Sequence, residues 1–541
     1  MRVTILDGYV DEPSNLGVPP FISPYPRYLA GAILDAGHEY EYITIDQVRA
    51  GAKPKGDLLA VISGPIVPGK YLRGMPMSQK ETLHHASTFD GTRILGGPLA
   101  RFRGYEDELA GAFHHVAARD LDAFVFDHLS GGNARDRDRT MEEWDRWAAL
   151  GSDVVRSHPD FPEPLIAELD ASKGCVRYLT GGCSFCVEPM YGIPRFREVE
   201  GIVEEVRQLS SIGVVNFRLG GMADFFSYMA IGVGKSPTPT PNVAALDALL
   251  KGIRSAAPAL KVFHTDNADP AVMAANPDET LDALRLLVKH STAGNILSLG
   301  METADPDVVE VNNLNSPPET SLKAVEMINS VGAERGENGM PRLLPGLNFV
   351  LGLDGEIQNT HFLNLKFLRT ILDRGLMVRR VNIRQVSPVR REFDMKHRNL
   401  FHSFKAKVRL EIDHEMLKRV VPRGTVMKSV YTEIHEGKMT FGRQVGTYPL
   451  LVGMPYPLQL DQFVDVKVTD HGQRSVTAIE YPLDVNKAPM AALSAIPGIG
   501  SKRAARIVRS RPFKRASELT RCLDDPSAAR DAAVYLGFPS K

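Results

Sequence analysis

The chain has 541 residues, too many for one hydrophobic core, so roughly three or four domains are expected. Hydrophobic residues make up 43% and charged residues 24%, which is ordinary for a soluble globular protein. The formal net charge of −1 excludes a global attraction to polyanions, and no apolar run reaches the roughly 18 residues that a membrane helix needs.

The first predicted domain, residues 1–150, alternates short apolar runs with helical patterns. We predict strands at 2–8, 40–45, 58–64, 92–98 and 122–129, and helices at 26–38 and 105–120. This alternation predicts an α/β, doubly wound, Rossmann-like sheet with parallel strands. Small residues end two of the strands, where such sheets bind ligands: Ser63, Gly64, Gly96 and Gly97. An equally open alternative is that these glycines only make tight turns.

The second predicted domain, residues 160–395, contains six further strand patterns, each followed by a helical one. The strands are predicted within 165–175, 214–222, 260–267, 295–303, 346–356 and 378–388. Six βα units predict a partial (β/α)6 barrel, a relative of the eightfold barrel.

Three smaller segments complete the chain. Residues 396–437 are predicted to be a helical connector, 438–485 a small β-barrel of the TRAM or OB type, and 486–541 a helix–hairpin–helix domain around Pro497–Gly500. Residues 501–521 contain eight Lys or Arg and one acid, so nucleic-acid binding through 497–521 is one interpretation. The alternative is that the hairpin is a packing module for protein contacts.

Three of the four cysteines, Cys175, Cys183 and Cys186, lie within twelve residues in a C-x7-C-x2-C spacing. So few cysteines argue against a disulfide scaffold, and together with an acidic N-terminus unlike a signal peptide they predict a cytoplasmic protein. A zinc site usually has four ligands, whereas three thiolates suit a [4Fe–4S] cluster whose fourth iron stays open. The alternative is three unrelated buried thiols.

This motif, on the loop after the first barrel strand, resembles that of radical S-adenosylmethionine (radical SAM) enzymes. The resemblance implies a [4Fe–4S] cluster on the three cysteines and S-adenosylmethionine as cofactor, with Phe185 near the adenine. Two features depart from the usual pattern: the first gap is seven residues rather than three, and Met222 replaces the Glu that normally follows Gly220-Gly221. Backbone groups or Asp224 would then receive the amino group of the methionine moiety.

The same resemblance implies further contacts to S-adenosylmethionine on later strands. Glu302 lies in a GIE-like motif whose acid faces the cofactor, and Asn348 lies on the fifth strand beside the adenine. Asn382 and Arg384 are two residues apart on the last strand and therefore face the same side. For each of these residues, the alternative is a satisfied polar group of the barrel interior.

The domain order resembles cobalamin-dependent radical SAM methyltransferases, within an archaeal group that has a C-terminal helix–hairpin–helix. The resemblance implies cobalamin at Ser63, Gly64, Gly96 and Gly97, although the D-x-H-x-x-G signature is absent and no cobalt ligand is assigned. It also implies methylation of the α-carbon of a glutamine in the α-subunit of methyl-coenzyme M reductase. Ferredoxin or flavodoxin is the implied electron donor.

Two other functions remain open. One is a tRNA-modifying radical SAM enzyme guided by the basic hairpin, and the other is a nucleic-acid-binding protein with a structural iron–sulfur cluster. A methylthiotransferase is the weaker tRNA-modifying version, because residues 1–174 contain no cysteine for a second cluster.

Overall fold

The N-terminal domain is a five-stranded parallel sheet in this computed structural model, which describes residues 1–10, 21–64, 74–101, 106–394 and 398–539. Numbered along the chain, its strands lie in the order β3-β1-β4-β5-β6, and β2 belongs to another sheet. This is the flavodoxin-like order, with a switch point beside β1. The first six strands are β1 (Arg2–Asp7), β2 (Phe21–Ile22), β3 (Glu39–Thr44), β4 (Leu58–Ile62), β5 (Thr92–Gly96) and β6 (His115–Val116). The helices are α1 (Tyr25–Asp35), α2 (Ile45–Arg49), α3 (Gln79–Ser87), α4 (Glu106–Ala112), α5 (Leu121–Leu129) and α6 (Met141–Leu150).

The strand predicted at 122–129 is wrong, because this segment forms helix α5. Its buried apolar residues Leu121, Phe124, Val125 and Leu129 recur at helical spacing, which a short window obscures. The last strand of the sheet is instead the two-residue β6, which lies inside the segment 105–120 predicted to be helical.

The strands of the two barrel sheets are all parallel, and β2 is added at the edge of the first sheet. All six predicted strands are present. Strand β11 continues into β12 after an interruption at Asp266, so the sheet that contains β11 is continued by the sheet that contains β12. The strands are β7 (Ile166–Asp170), β8 (Ser172–Lys173), β9 (Arg195–Phe196), β10 (Asn216–Gly220), β11 (Val262–Thr265), β12 (Asn267–Ala268), β13 (Asn295–Glu302), β14 (Leu343–Leu351) and β15 (Arg380–Gln385), of which β8 and β9 form a separate antiparallel ribbon. The helices are α7 (Val199–Ser211), α8 (Val243–Ala256), α9 (Pro270–Ala275), α10 (Pro277–His290), α11 (Pro306–Val311), α12 (Pro318–Gly332) and α13 (Gln358–Asp373).

A helical connector and a closed five-stranded barrel follow. The connector consists of α14 (Arg398–Val408), a π-helical turn (Arg409–Asp413) and α15 (His414–Val420). The small barrel contains β16 (Val426–Glu436), β17 (Met439–Gln444), β18 (Leu451–Met454), β19 (Phe463–His471) and β20 (Ser475–Glu480). Strand β16 lies within the segment 396–437 expected to be helical, because it pairs with both β17 and β19 and so belongs to the barrel.

The C-terminal domain is a set of short helices closed by a two-stranded parallel ribbon. Its elements are β21 (Leu483–Asp484), α16 (Met490–Ser494), α17 (Gly500–Arg509), α18 (Leu519–Cys522), α19 (Pro526–Ala533) and β22 (Leu536–Gly537). In the described parts of the chain, no helix has both the length and the apolar character to cross a bilayer.

The loop 445–450 of the small barrel packs under the large barrel. The backbone N–H of Thr447 donates to Nδ1 of His264 on β11 at 2.9 Å, and the Tyr448 hydroxyl donates to Asp266 at 2.9 Å. Arg379, just before β15, donates to the carbonyl of Tyr448 at 2.9 Å. The loop therefore closes the amino end of the large barrel.

A buried ion network joins the N-terminal domain to the large barrel. Glu205 on α7 contacts Arg27 of α1 at 2.8 Å and Arg197 at 2.6 Å, and all three side chains are fully buried. Arg197 also contacts Asp145 of α6 at 2.7 Å. Opposing charges and hydrogen bonds satisfy the Glu205 carboxylate, which keeps its pKa below the ordinary value despite burial.

We expect Glu205→Gln to lower the free energy of unfolding by about 3 kcal/mol or more, because two buried guanidinium groups lose their shared counter-charge. Chemical denaturation monitored by circular dichroism measures this. Glu204→Gln is the matched control on the same helix, since Glu204 pairs with Arg207 at the surface, and we expect a change within about 0.5 kcal/mol. Equal effects of the two substitutions would contradict the importance of the network.

Candidate active site at the mouth of the large barrel

The cysteine loop leaves and re-enters the barrel through the β8–β9 ribbon, which pairs Ser172 with Phe196 and Lys173 with Arg195. Burial raises the pKa of the Cys175 thiol to about 12 and that of Cys183 to about 11, and Cys183 adds to the shift of Cys175. For Cys186 burial also raises the pKa, with Cys183 and Cys175 as neighbours. The three thiols therefore lie near one another in a largely buried loop, and their role as cluster ligands stays a prediction.

The donor set of this loop fits an iron–sulfur cube better than a single ion. Across the described residues, no three His, Cys, Asp or Glu side chains are grouped as ligands of one metal ion. In a cube each thiolate binds a different iron, so the sulfur atoms need not converge on one point. Three thiolates that lie near one another without converging are consistent with that arrangement.

Two arginines and an asparagine hold the cysteine loop in place. Arg177 donates to the Cys183 sulfur at 3.3 Å and to the carbonyl of Asn313 at 2.7 Å. The Asn313 side chain donates to the carbonyls of Thr180 and Gly182. The positive charge of Arg177 opposes the effect of burial on the Cys183 pKa and so favours the thiolate that binds metal.

Arg390, beyond the last barrel strand, supports the same loop from the other side. It donates to the carbonyls of Gly181 and Cys183 at 2.8 and 2.9 Å. Phe185 in the same loop packs against an apolar cluster that includes Leu314, Leu353 and Val386.

Glu302 lies at the end of β13, close enough to Cys183 to raise the pKa of that thiol. Its backbone has a φ of 62°, in the left-handed region, at an irregularity in the pairing with β14. Burial raises the pKa of its carboxyl group to about 8 against the opposing charge of Arg384. Oxygen Oε2 is buried and has no hydrogen-bond partner among the described residues. Strain and an unsatisfied buried oxygen in one residue are typical of a binding site.

The other two residues predicted on the late strands lie nearby. The side-chain amides of Asn348 on β14 and Asn382 on β15 are 3.1 Å apart, and Arg384 follows two residues later on β15. The structure therefore brings Glu302, Asn348 and Arg384 together. Their contact with S-adenosylmethionine stays a prediction.

Two glycines at the end of β10 make room for carboxylates that the sequence analysis did not identify. A Cβ atom on Gly220 would lie 2.0 Å from an oxygen of Glu168, and one on Gly221 would lie 1.8 Å from an oxygen of Asp170. Burial and the adjacent Glu168 raise the pKa of Asp170 to about 7. Both acids lie on β7 at positions i and i+2, a spacing that puts them on one face and was available in the sequence.

Met222 is only 4% exposed and belongs to the hydrophobic core, so it supplies no charge at the position where Glu is usual. Two other acids lie nearby. Asp224 accepts a hydrogen bond from the backbone N–H of Asp269 at 2.8 Å, and Asn315 donates to both oxygens of Asp269 at 2.8 and 2.6 Å. Burial and the charge of Asp269 raise the pKa of Asp224 to about 7. Both acids raise the pKa of Cys175, so they border the cysteine loop.

The carboxyl edge of the N-terminal sheet faces the cysteine loop. Lys173, two residues before Cys175, contacts Asp120 at 2.9 Å and Asp138 at 2.8 Å. The guanidinium of Arg101, which follows β5, lies 5.2 Å from the ring centre of Tyr191 in the cysteine loop. The ligand-binding edge of a doubly wound sheet thus lies beside the barrel mouth.

Packing accounts for several small residues at that edge. A Cβ atom on Gly96 would lie 2.5 Å from Leu121, and one on Gly97 would lie 2.7 Å from the carbonyl oxygen of Ser63. Ser63 donates through its backbone to Gly96 at 3.1 Å and contacts the Thr82 hydroxyl. Gly64 has more space, with no atom closer than 3.7 Å to its added Cβ. Cobalamin binding by these residues stays a prediction.

The hairpin in the C-terminal domain has an exposed backbone. Gly498 and Gly500 have φ values of 80° and 54°, and no atom lies within 4 Å of an added Cβ at either position. Asp524 partly neutralises the basic helix by contacting Arg503 at 2.8 Å and Arg506 at 3.2 Å.

Comparison with known proteins identifies two domains and several relatives. Residues 172–351 match the radical SAM superfamily, and residues 480–523 match a helix–hairpin–helix motif. An uncharacterized protein of Methanocaldococcus jannaschii is 44% identical over 504 residues, covering 88% of this chain and 92% of the relative. Another, of Archaeoglobus fulgidus, is 39% identical over 557 residues, covering 99% of each.

Among solved structures, the methyltransferase TsrM of Kitasatospora setae, bound to tryptophan and an aza analogue of S-adenosylmethionine, has a TM-score of 0.42. It is 14% identical to this chain and covers 71% of it, with 72% of TsrM aligned.

We expect Ala substitution of Cys175, Cys183 or Cys186 to abolish the iron–sulfur absorbance and lower bound iron to background, because each thiolate holds one iron. Anaerobic reconstitution followed by iron analysis measures this. Cys522→Ala is the matched control, since Cys522 lies in the C-terminal domain on α18. Iron content unchanged in the first three variants would contradict the cluster assignment.

Proposed function

We propose that this chain, which belongs to the radical SAM superfamily, is a cobalamin-dependent C-methyltransferase. The observation that carries the proposal is the position of the cysteine loop. Buried acids of the large barrel border the loop on one side, and the carboxyl edge of the N-terminal sheet borders it on the other. A [4Fe–4S] cluster held by Cys175, Cys183 and Cys186 supplies the electron that cleaves S-adenosylmethionine to methionine and a 5′-deoxyadenosyl radical.

In this proposal, Asp224 and Asp269 bind the ammonium group of the methionine moiety. Burial raises the pKa of both acids, and the charge of Asp269 adds to the shift of Asp224, so a nearby cation stabilises the fully ionised pair. This pair compensates for Met222, whose side chain lies in the core. Arg384 on β15 supplies a positive charge, Glu302 on β13 supplies a buried carboxyl group that a nearby cation would help to ionise, and Phe185 supplies an apolar surface.

The N-terminal sheet would hold cobalamin at its carboxyl edge, through Ser63, Gly64, Gly96 and Gly97. Methylcobalamin supplies the methyl group that the substrate carbon receives. Support comes from the flavodoxin-like strand order and from the salt bridges of Lys173, which keep this edge beside the cysteine loop. No residue is assigned as the ligand of cobalt.

The proposed substrate is the α-carbon of a glutamine in the α-subunit of methyl-coenzyme M reductase, with ferredoxin or flavodoxin as electron donor. Support for this substrate comes from the sequence resemblance alone. The chemistry is consistent, because that carbon is neither acidic nor nucleophilic and a radical route avoids both requirements. An extended peptide would enter through the mouth of the large barrel.

A second candidate is a tRNA-modifying enzyme, favoured by the exposed hairpin. The space beside Gly498 and Gly500 is unobstructed, and a helix begins there, which suits a phosphate group. Several basic side chains around it are exposed: Lys502, Arg506, Arg509, Lys514, Arg515 and Arg521.

We expect Asp224→Asn to weaken binding of S-adenosylmethionine by about 10- to 100-fold without loss of iron, because a buried charge-assisted hydrogen bond is removed. Equilibrium dialysis with the reconstituted protein measures the affinity. Asp282→Asn is the control, since Asp282 is an exposed acid paired with Arg285 on α10. Unchanged affinity in Asp224→Asn would place the ammonium group elsewhere.

We expect the reconstituted enzyme with cobalamin, S-adenosylmethionine and a reductant to add one methyl group to a reductase peptide containing the glutamine. The same peptide with Ala at that position should stay unmodified, and corrin bands should accompany the iron–sulfur absorbance. Mass spectrometry of the peptide and of archaeal tRNA in parallel reactions distinguishes the candidates. Methylated tRNA with unmodified peptide would favour the second candidate, and absence of 5′-deoxyadenosine would leave only a structural cluster.

A further inference from the structure

A cavity of about 170 Å³ lies at the amino end of the large barrel, away from the cysteine loop. It forms where three parts of the chain meet: the start of β15, the helical connector and the small β-barrel. Its walls are mainly apolar and include Val378, Leu417 and Leu450. Its volume is below the roughly 300 Å³ of the smallest usual sites for drug-sized ligands, so a nucleotide is too large and a small molecule fits.

Positive charge is in excess around this cavity. Arg379, Arg380 and Arg474 line it, whereas Asp413 is the one carboxylate among the described residues that line it. Burial lowers the pKa of both Arg379 and Arg380 to about 10, and each also feels other arginines. Arg409 adds further positive charge near Asp413 and Arg474.

Arg379 and Arg380 have partners within the protein, whereas Arg474 keeps donors for a ligand. Arg379 donates to the carbonyl of Tyr448 at 2.9 Å, and the guanidinium of Arg380 stacks over the Tyr448 ring at 4.2 Å. Nε of Arg474 lies 3.9 Å from the nearest Asp413 oxygen, which is too far for a hydrogen bond. Within the described part of the chain, Arg474 donates no hydrogen bond, so its planar set of donors stays available.

Excess positive charge in a largely apolar cavity costs folding free energy unless a bound anion neutralises it. Guanidinium groups stay protonated in proteins, so the arginines do not become neutral by losing a proton. Their planar donors match the oxygens of carboxylate or phosphate groups.

We propose that this cavity binds a small organic anion, with a carboxylate or phosphate head on the arginines and an apolar body against the aliphatic wall. The site lies at the opposite end of the barrel from the cysteine loop and is independent of the proposed methyl transfer. Tyr448 also connects it to the barrel interior, through its hydrogen bond to Asp266 and the ion pair of Asp266 with Arg218.

Phenyl phosphate and benzoate are suitable probes, because they share an apolar ring and differ in the head group. Benzyl alcohol is the neutral control with the same ring. At constant ionic strength, we expect at least one of the two anions to raise the unfolding temperature of the full-length protein in a saturable manner. The anion that binds more tightly identifies the head group that the site prefers. No shift with either anion, or an equal shift with benzyl alcohol, would overturn the proposal.

Substitutions locate the site. We expect Arg474→Gln to lower the affinity for the probe by about tenfold or more. Arg369→Gln, at an arginine paired on the surface with Glu411, should leave the affinity unchanged. Asp413→Asn should bind the probe more tightly, because it removes the resident carboxylate that competes for the arginines. This second variant keeps the proposal testable if Arg474→Gln does not fold. Weaker binding in Asp413→Asn, or unchanged binding in folded Arg474→Gln, would overturn the proposal.

Discussion

The placement of the candidate site depends on one buried carboxylate, Glu205, held between two arginines of different segments. Arg27 and Arg197 each contact it, and each also donates to a backbone carbonyl at the end of β7, that of Glu168 and that of Asp170. The strand that leads into the cysteine loop is therefore fixed by the same charges that hold the N-terminal domain. Removing a partner from such a network leaves a buried charge uncompensated, which is far more costly than losing a surface pair.

The second organising feature is a set of acids whose ionisation is suppressed at the barrel mouth. Burial raises the pKa of Asp170 and Asp224 to about 7 and that of Glu302 to about 8. Near neutral pH such a site carries less negative charge than its composition suggests, and an arriving cation favours ionisation. S-adenosylmethionine carries both an ammonium and a sulfonium charge, so a site of this kind suits the proposed function.

The sequence predicted those features that depend on local pattern. The six barrel strands and the clustering of Cys175, Cys183 and Cys186 follow from periodicity and spacing, and both are present. Helix α5 was missed because its short apolar run Ala123–Phe126 also fits a strand, and β16 was missed because strand pairing is decided by distant partners. The roles of Gly220 and Gly221 required knowing that Glu168 and Asp170 lie opposite them. Long-range juxtaposition of this kind has no signature in a single sequence.

The loop 445–450 also bears on how reactive species move within the large barrel. By packing on His264, Asp266 and the start of β15, it stops the amino end of the barrel. These contacts obstruct entry from the amino end and leave the end that carries the cysteines unaffected. A substrate that binds at the cysteine end would then stand between the cluster site and bulk solvent.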